Sequence, residues 1–145
     1  MKMKRILTWA LALACIGAEA HAETTAETIL AMERRAMDGW HQGNPDAFIA
    51  ISDPGITFFH SAVPGRLEGL EAVKALYESY RGRPLFDSYE IVDPKVAVWE
   101  GTAVLTYQLT TQNGSLTRHW GATEVYRKGD AGWRIVHSHF SQVNP

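Results

Sequence analysis

The sequence predicts an α+β fold in which helices come first and a curved antiparallel sheet wraps around them. Three observations indicate this class. Helical amphipathic periodicity is confined to the first half of the chain, the second half alternates as strands do, and turn residues separate its strands at short intervals. No linker, low-complexity tract or internal repeat divides the chain after its first residues. We therefore expect one domain.

Residues 1–22 have the layout of a secretory signal peptide. A basic segment with Lys2, Lys4 and Arg5 precedes a short apolar run over residues 6–16, and Ala20-His21-Ala22 supplies small residues before a cleavage site. The apolar run is too short for a membrane-spanning helix. The alternative of a lipoprotein signal at Cys15 stays open, although Ala12-Leu13 fits the expected pattern before such a cysteine poorly.

Cleavage after Ala22 leaves residues 23–145, a length that suits one compact domain. It removes three of the 14 basic residues and one of the 16 acidic ones, so the net charge becomes −4 with His neutral. That charge argues against nucleic acid or an anionic membrane as a partner. The sole cysteine leaves with the signal, so the domain is expected to lack disulfides and to be periplasmic or secreted.

The helices are predicted from apolar spacing and from their end signals. Gly43 ends the first, and Asn44-Pro45 caps the start of the second. The three predicted helices span about Thr24–His41, Ala47–Ser52 and Leu70–Tyr80.

The strands are predicted from alternation between turn signals, and Asn113-Gly114 is a strong two-residue hairpin signal. Asp93-Pro94 is interpreted as a turn that separates two strands. The predicted strands are Ile56–His60, Arg66–Glu68, Ser88–Val92, Lys95–Trp99, Thr102–Gln112, Leu116–Arg127 and Trp133–Phe140.

The last hairpin predicts which ionisable residues meet. If its turn is Gly129–Gly132, Lys128 opposes Trp133 and Glu124 opposes His137. His139 shares the face of His137 because side chains alternate along a strand. A shift of one residue would break the Glu124–His137 pair.

Five segments resemble NTF2-like domains: Trp40–Phe48, Ser52–Phe58, Leu67–Val73, Trp120–Arg127 and Gly132–Ser141. The last two resemble the SnoaL-like group, which includes the association domain of calcium/calmodulin-dependent protein kinase II. The resemblance covers nearly all of residues 23–145. It implies an NTF2-like cone with an internal pocket, and commonly a homodimer formed through the outer face of the sheet.

Members of this family include isomerases, dehydratases, epoxide hydrolases, polyketide cyclases and non-catalytic association domains, so the fold alone does not define the activity. Against the ketosteroid isomerase pattern, the general base falls near Phe59 or His60, and the protonated acid falls at Glu124. The oxyanion tyrosine has no counterpart, because its position lies near Ala36. Steroid isomerisation is therefore not expected.

The catalytic candidates are Glu124, His137 and His60. A mid-strand carboxyl among aromatic residues needs a partner or a raised pKa, and a protonated Glu can donate to an oxyanion. The alternative for Glu124 is an ion pair with a neighbouring arginine. A histidine titrates near neutral pH and can act as acid or base. The alternative for His60 is a solvated strand end, and for His137 a structural hydrogen bond to Glu124.

The ligand-binding candidates are His139 and four aromatic residues, Trp40, Trp120, Tyr126 and Tyr77. Trp99 and Tyr107 are interpreted as ordinary core residues. Arg118 and His119 fit either the outer face or the rim of the pocket. No metal or other cofactor is expected, because the histidine and acid spacing lacks a dedicated metal-binding motif.

Two functions remain from this sequence. The first is an exported protein that binds a small apolar or cyclic molecule in its pocket and acts on it as an acid/base lyase, isomerase or hydrolase. The alternative is a non-catalytic association domain. Both are compatible with a homodimer, and neither involves nucleic acid or a membrane after signal cleavage.

Overall fold

The computed structural model describes residues 23–143, and the predicted signal peptide lies outside them. Three helices and six strands follow one another along the chain. They are α1 (Thr25–His41), α2 (Asp46–Ile51), β1 (Ser52–His60), β2 (Leu67–Glu68), α3 (Leu70–Glu78), β3 (Ser88–Trp99), β4 (Thr102–Asn113), β5 (Leu116–Gly129) and β6 (Gly132–Val143).

One six-stranded sheet has the order β2-β1-β6-β5-β4-β3. Neighbouring strands are antiparallel except that β1 runs parallel to β6. The sheet is therefore mixed rather than wholly antiparallel, and it is curved and unclosed. The predicted α+β class and the helices-then-sheet order are confirmed.

The loop between α1 and α2 is anchored to the segment that follows α3. Gly43 has φ +77°, and a Cβ there would lie within 2.7 Å of the Arg83 backbone, so only glycine fits. The Gly43 carbonyl accepts a hydrogen bond of 2.9 Å from the Gly82 N–H. The Asn44 side chain accepts a hydrogen bond from the Asp46 N–H, but the N-cap of α2 is Pro45 rather than the predicted Asn44. This loop holds the segment with Leu85 against the helices.

Two predicted turns differ from the structure. Asp93-Pro94 lies inside one long strand as a bulge, where Asp93 has φ +48° and the pairing shifts between Val92 and Lys95. Proline lacks a ladder N–H, but β3 is an edge strand and tolerates it. The hairpin between β4 and β5 pairs Asn113 with Leu116, so its two loop residues are Gly114 and Ser115.

A second bulge overturns the predicted Glu124–His137 pair. The register begins as expected, with Lys128 opposite Trp133 and Tyr126 opposite Ile135. It then shifts by one residue, so Glu124 opposes Ser138 and His137 opposes Val125. The extra residue is Val136, and it reverses which later side chains of β6 point inward.

The core lies between the helices and the inner face of the sheet. Its buried side chains come from α1, α3 and alternate positions of β4 and β5. The largest fully buried residues include Tyr126, Ile29, Met37, Ile56 and Leu105. No helix within residues 23–143 combines the length and apolar character needed to cross a bilayer.

Candidate functional site

A cavity of about 540 Å³ opens between the helices and the inner face of the sheet. This volume lies in the range of small-molecule sites. The wall is rich in aromatic side chains: the Trp40 and Tyr77 rings lie 5.0 Å apart, and Phe58 meets Tyr77 edge-on at 5.8 Å. The aromatic residues that line it are Trp40, Phe48, Phe58, Tyr77, Tyr80, Phe86, Trp120 and Phe140.

His60 brings an imidazole into this aromatic wall. Its ring lies 6.0 Å from that of Phe58, nearly parallel to it, and 5.3 Å from that of Trp120. Partial burial lowers the pKa of His60. The Nδ1 atom accepts a 2.9 Å hydrogen bond from the Ala62 N–H. A backbone N–H can only donate, so Nδ1 carries no proton, and the neutral ring carries it on Nε2.

Beyond the cavity wall, two carboxyl groups are buried together. Glu33 on α1 is 0% exposed and Glu124 on β5 is 1% exposed. Tyr107 donates to Glu33 Oε1 at 2.5 Å, and Ser138 donates to Glu124 Oε1 at 2.9 Å. The Tyr126 hydroxyl lies between them, 3.0 Å from Glu33 Oε2 and 2.8 Å from Glu124 Oε2. We call these five residues the acid–tyrosine cluster.

The hydrogen bonds of this cluster require one of its two carboxyl groups to be protonated. Tyr126 has one hydroxyl proton but faces two carboxyl oxygens, so it donates to one and accepts from the other. Burial, and next the charge of Glu33, raise the pKa of Glu124 well above its ordinary value. A neutral Glu124 therefore donates to the Tyr126 oxygen, and Tyr126 donates to Glu33. Every carboxyl oxygen in the cluster then has a partner.

Tyr77 connects the cluster with the cavity. It lines the cavity from α3 and is 6% exposed. Burial, followed by the charges of Glu124 and Glu33, raises the pKa of Tyr77 well above its ordinary value. Its phenol stays protonated at neutral pH and is able to donate.

The predicted site residues divide into three groups. His60, Trp40, Trp120 and Tyr77 line the cavity. Glu124 and Tyr126 are absent from the described cavity lining and belong to the acid–tyrosine cluster. His137 and His139 lie on the outer face.

On the outer face, His139 pairs with Phe59 of β1, and His137 pairs with Thr57. The Thr57 hydroxyl lies 2.8 Å from His137 Nδ1. The predicted histidine and acid cluster is therefore split across the sheet. Within residues 23–143, no three His, Cys, Asp or Glu side chains are placed to hold a metal ion.

Sequence reasoning missed Glu33, although a signal for it exists. Glu33 falls at helical spacing from Ile29, Ala36 and Met37, which are all buried on α1. A glutamate on an apolar helix face indicates a buried acid.

The interpretation of Tyr107 as a core residue is confirmed, whereas that of Trp99 is wrong, because Trp99 is 60% exposed at the end of the edge strand β3.

The fold and cavity define an α+β cone with an internal small-molecule-sized pocket. The SnoaL-like domain family matches residues 29–145, and the chain belongs to this family. No curated protein matches the sequence.

Three solved structures illustrate the range of similar proteins. A proposed ketosteroid isomerase of Parabacteroides distasonis is 30% identical with a TM-score of 0.77, covering 88% of this chain and 94% of its own. The CaMKII hub homology domain of Chlamydomonas reinhardtii is 27% identical with a TM-score of 0.70, covering 83% and 100%. An NTF2-like protein of Pseudomonas putida shares the fold at 21% identity and a TM-score of 0.73, covering 80% and 84%. These likenesses confirm the resemblance to NTF2-like and association domains.

Proposed function

We propose that the protein binds a small cyclic, largely apolar molecule in the aromatic cavity. The observation that carries this proposal is a space of about 540 Å³ whose wall is formed mainly by aromatic and aliphatic side chains. The similarity to a proposed ketosteroid isomerase supports a cyclic ligand.

Two neutral donors suit a carbonyl group on that ligand. In His60, Nδ1 is occupied by the Ala62 N–H, so Nε2–H is the ring group left for a ligand. The protonated phenol of Tyr77 lines the same cavity. Neutral imidazole and phenol donors polarise carbonyl groups in known enzymes. Among the described residues that line the cavity none is Asp or Glu, so binding is better supported than proton abstraction by a carboxylate.

A matched pair of ligands tests the proposal. We expect 2-acetonaphthone to raise the Tm of the purified protein and to bind about tenfold more tightly than 2-ethylnaphthalene, since one good hydrogen bond is worth about 1 kcal/mol or more. His60→Phe keeps a ring in the wall but removes the donor, so the preference for the ketone should fall. His139→Phe makes the same change on the outer face and should leave it intact.

The outcomes are decisive. If neither compound binds the wild-type protein at millimolar concentration, the proposed ligand class is wrong. If both bind and His60→Phe keeps the ketone preference, His60 is not the donor. Turnover of the ketone by the wild-type protein would add acid–base chemistry to the binding function.

We also propose that the protein self-associates through the outer face of the sheet. The outer-face positions of β1, β6, β5 and β4 carry no Asp, Glu, Lys or Arg from the β4–β5 hairpin as far as Val125, and Arg127 and Arg134 follow on the same face at its other end. The positions without these residues are Thr57, Phe59, His137, His139, Ser141, Val143, Thr117, His119, Gly121, Thr123, Val125, Val104, Thr106, Gln108, Thr110 and Gln112. Depletion of charge is typical of interface centres. The likeness to a hub homology domain also supports self-association.

Sedimentation analysis tests this second function. Thr123→Glu places a charge at the centre of the outer face and should weaken a dimer at least tenfold, because a buried unpaired carboxylate is costly. Thr25→Glu adds the same charge in the first turn of α1, where acids are tolerated, and should leave the dimer unchanged. A wild-type protein that remains monomeric at 100 μM would overturn the proposal.

We propose, finally, that residues 1–22 direct export and are removed. Mass measurement of protein recovered from a periplasmic fraction should give a chain that begins at Glu23. A mass that includes a lipid on Cys15 would establish the lipoprotein alternative. An intact Met1 in a cytoplasmic fraction would contradict both.

A further inference from the structure

One end of the cavity wall is cationic. Arg118 on β5 lines the cavity and is the only Lys or Arg among the lining residues in the described part of the chain. That lining has no acidic side chain, although the residues after the predicted cleavage site carry an excess of negative charge. The cavity therefore offers an anion a local environment opposite in sign to the rest of the domain.

Arg118 also has no internal partner. Arg66, Arg81 and Arg127 each lie within 4.0 Å of a carboxylate. For Arg118, no carboxylate in residues 23–143 lies that close, and no protein oxygen accepts a hydrogen bond from its guanidinium. A partnerless arginine at the edge of an aromatic cavity has all its donors available for a ligand.

The position of Arg118 determines how a ligand would lie. Arg118 pairs with Thr111, close to the β4–β5 hairpin, and is exposed. Trp120 follows on the same face and lines the wall. Glu124 lies six residues after Arg118 along β5, which is roughly 20 Å from Arg118 at about 3.3 Å per residue. The cationic end is thus at the rim, and the apolar wall lies between it and the acid–tyrosine cluster.

We propose that Arg118 binds the carboxylate of a small amphipathic ligand whose aromatic or alicyclic body fills the cavity. The inference rests on the proposed binding function and specifies its ligand class. The planar guanidinium donates two parallel hydrogen bonds to a carboxylate, which a lysine cannot do. The side-chain amides of Gln142 and Asn113 line the same cavity and provide further N–H donors.

A carboxylate and its amide give a sharp test. We expect 2-naphthoate to bind the wild-type protein at least tenfold more tightly than 2-naphthamide, measured by calorimetry in low salt at pH 7.5. Arg118→Gln should abolish this preference and leave the affinity for the amide within about twofold. Arg118→Lys keeps the charge but loses the paired geometry, and should retain only part of the preference.

Arg34→Gln is the matched control. Arg34 is exposed on α1, does not line the cavity and carries the same charge, so its removal should leave the preference unchanged. If the amide and 2-acetonaphthone bind but the carboxylate is not preferred, or Arg118→Gln keeps the preference, the inference is wrong while the proposed function stands. If none of the three compounds binds, the proposed function fails and the inference fails with it.

Discussion

The two faces of the sheet use polar side chains in opposite ways. The inner face concentrates them, because Glu124, Tyr126 and Ser138 meet Glu33 in a buried network with every carboxyl oxygen partnered. The central positions of the outer face disperse them as threonine, glutamine and histidine side chains. A buried polar group needs a specific partner, whereas a partly exposed one has water. The inner face therefore depends on exact register, and the outer face does not.

This difference explains why a single bulge matters. The extra residue Val136 turns Ser138 inward, where it donates to Glu124, and turns His137 outward toward Thr57. Without it, an imidazole would stand beside Glu124 in the core. The bulge thereby separates the groups that titrate on the outer face from the proton held in the cluster.

The largest expected effect comes from breaking the inner network at Glu33. Glu33→Ala removes the acceptor for Tyr107 and Tyr126 and opens a cavity, so the free energy of unfolding should fall by about 3 kcal/mol or more. Urea denaturation at pH 7 measures it. Glu90→Ala makes the same change at an exposed position of β3 and should cost less than about 0.5 kcal/mol. Equal effects at the two sites would show that the cluster contributes nothing specific.

The next effect concerns the proton on Glu124. Its pKa is raised in the folded state, so the native protein binds this proton more tightly than the unfolded chain does. The stabilisation is full below the ordinary carboxyl pKa and is lost as pH rises toward the folded value, at up to about 1.4 kcal/mol per pH unit. Glu124→Gln imitates the neutral acid, so it should become progressively more stable relative to wild type as pH rises.

The measurement is the difference in unfolding free energy between Glu124→Gln and wild type from pH 5 to pH 8. Taking the difference cancels titrations that the two proteins share. A difference that stays flat across this range would mean that Glu124 is ionised throughout. The assignment of the carboxyl proton of the acid–tyrosine cluster to Glu124 would then be wrong.

Most of the fold follows from local signals in the sequence. Turn residues and alternation predict β4, β5 and β6, and the resemblance gives the cone. The parallel pairing of β1 with β6 does not follow from them, because it depends on a contact between distant segments. The bulge at Val136 was not predicted either. Residues on both sides of it are compatible with either face, so the register is selected by tertiary contacts such as those of Ser138 with Glu124 and of Phe140 with Tyr107.

The candidate site was predictable in part, for the same reason. His60, Trp40, Trp120 and Tyr77 belong to elements with clear boundaries, and they line the cavity. The acid pair required knowing that α1 crosses the inner face at Glu33, which is a tertiary contact. Arg118 was left between the rim and the outer face. Its register opposite Thr111 resolves the choice in favour of the rim.

A smaller effect is expected on the proposed dimer of the outer face when the pH is lowered. Burial, and then the neighbouring His139, lower the pKa of His137. Protonation as pH falls would put positive charge on a face whose central positions carry no acid; its third histidine is His119, and the acidic groups Glu90 and Asp93 lie on the edge strand β3. The dimer should therefore weaken about tenfold between pH 7.5 and pH 5.5, as followed by sedimentation. The double variant His137→Gln/His139→Gln should remove most of that dependence. A dimer equally stable at both pH values would place the interface elsewhere.

The smallest effect is spectroscopic and concerns His60. Because Ala62 donates to Nδ1, nitrogen-detected NMR at pH 7.5 should find the ring proton on Nε2, and the ring should titrate below its ordinary pKa. Finding the proton on Nδ1 would reverse the chemistry, since Nε2 would then offer a lone pair to the cavity. His60 would become a base rather than a donor, and the inner face would be equipped for proton abstraction instead of carbonyl binding.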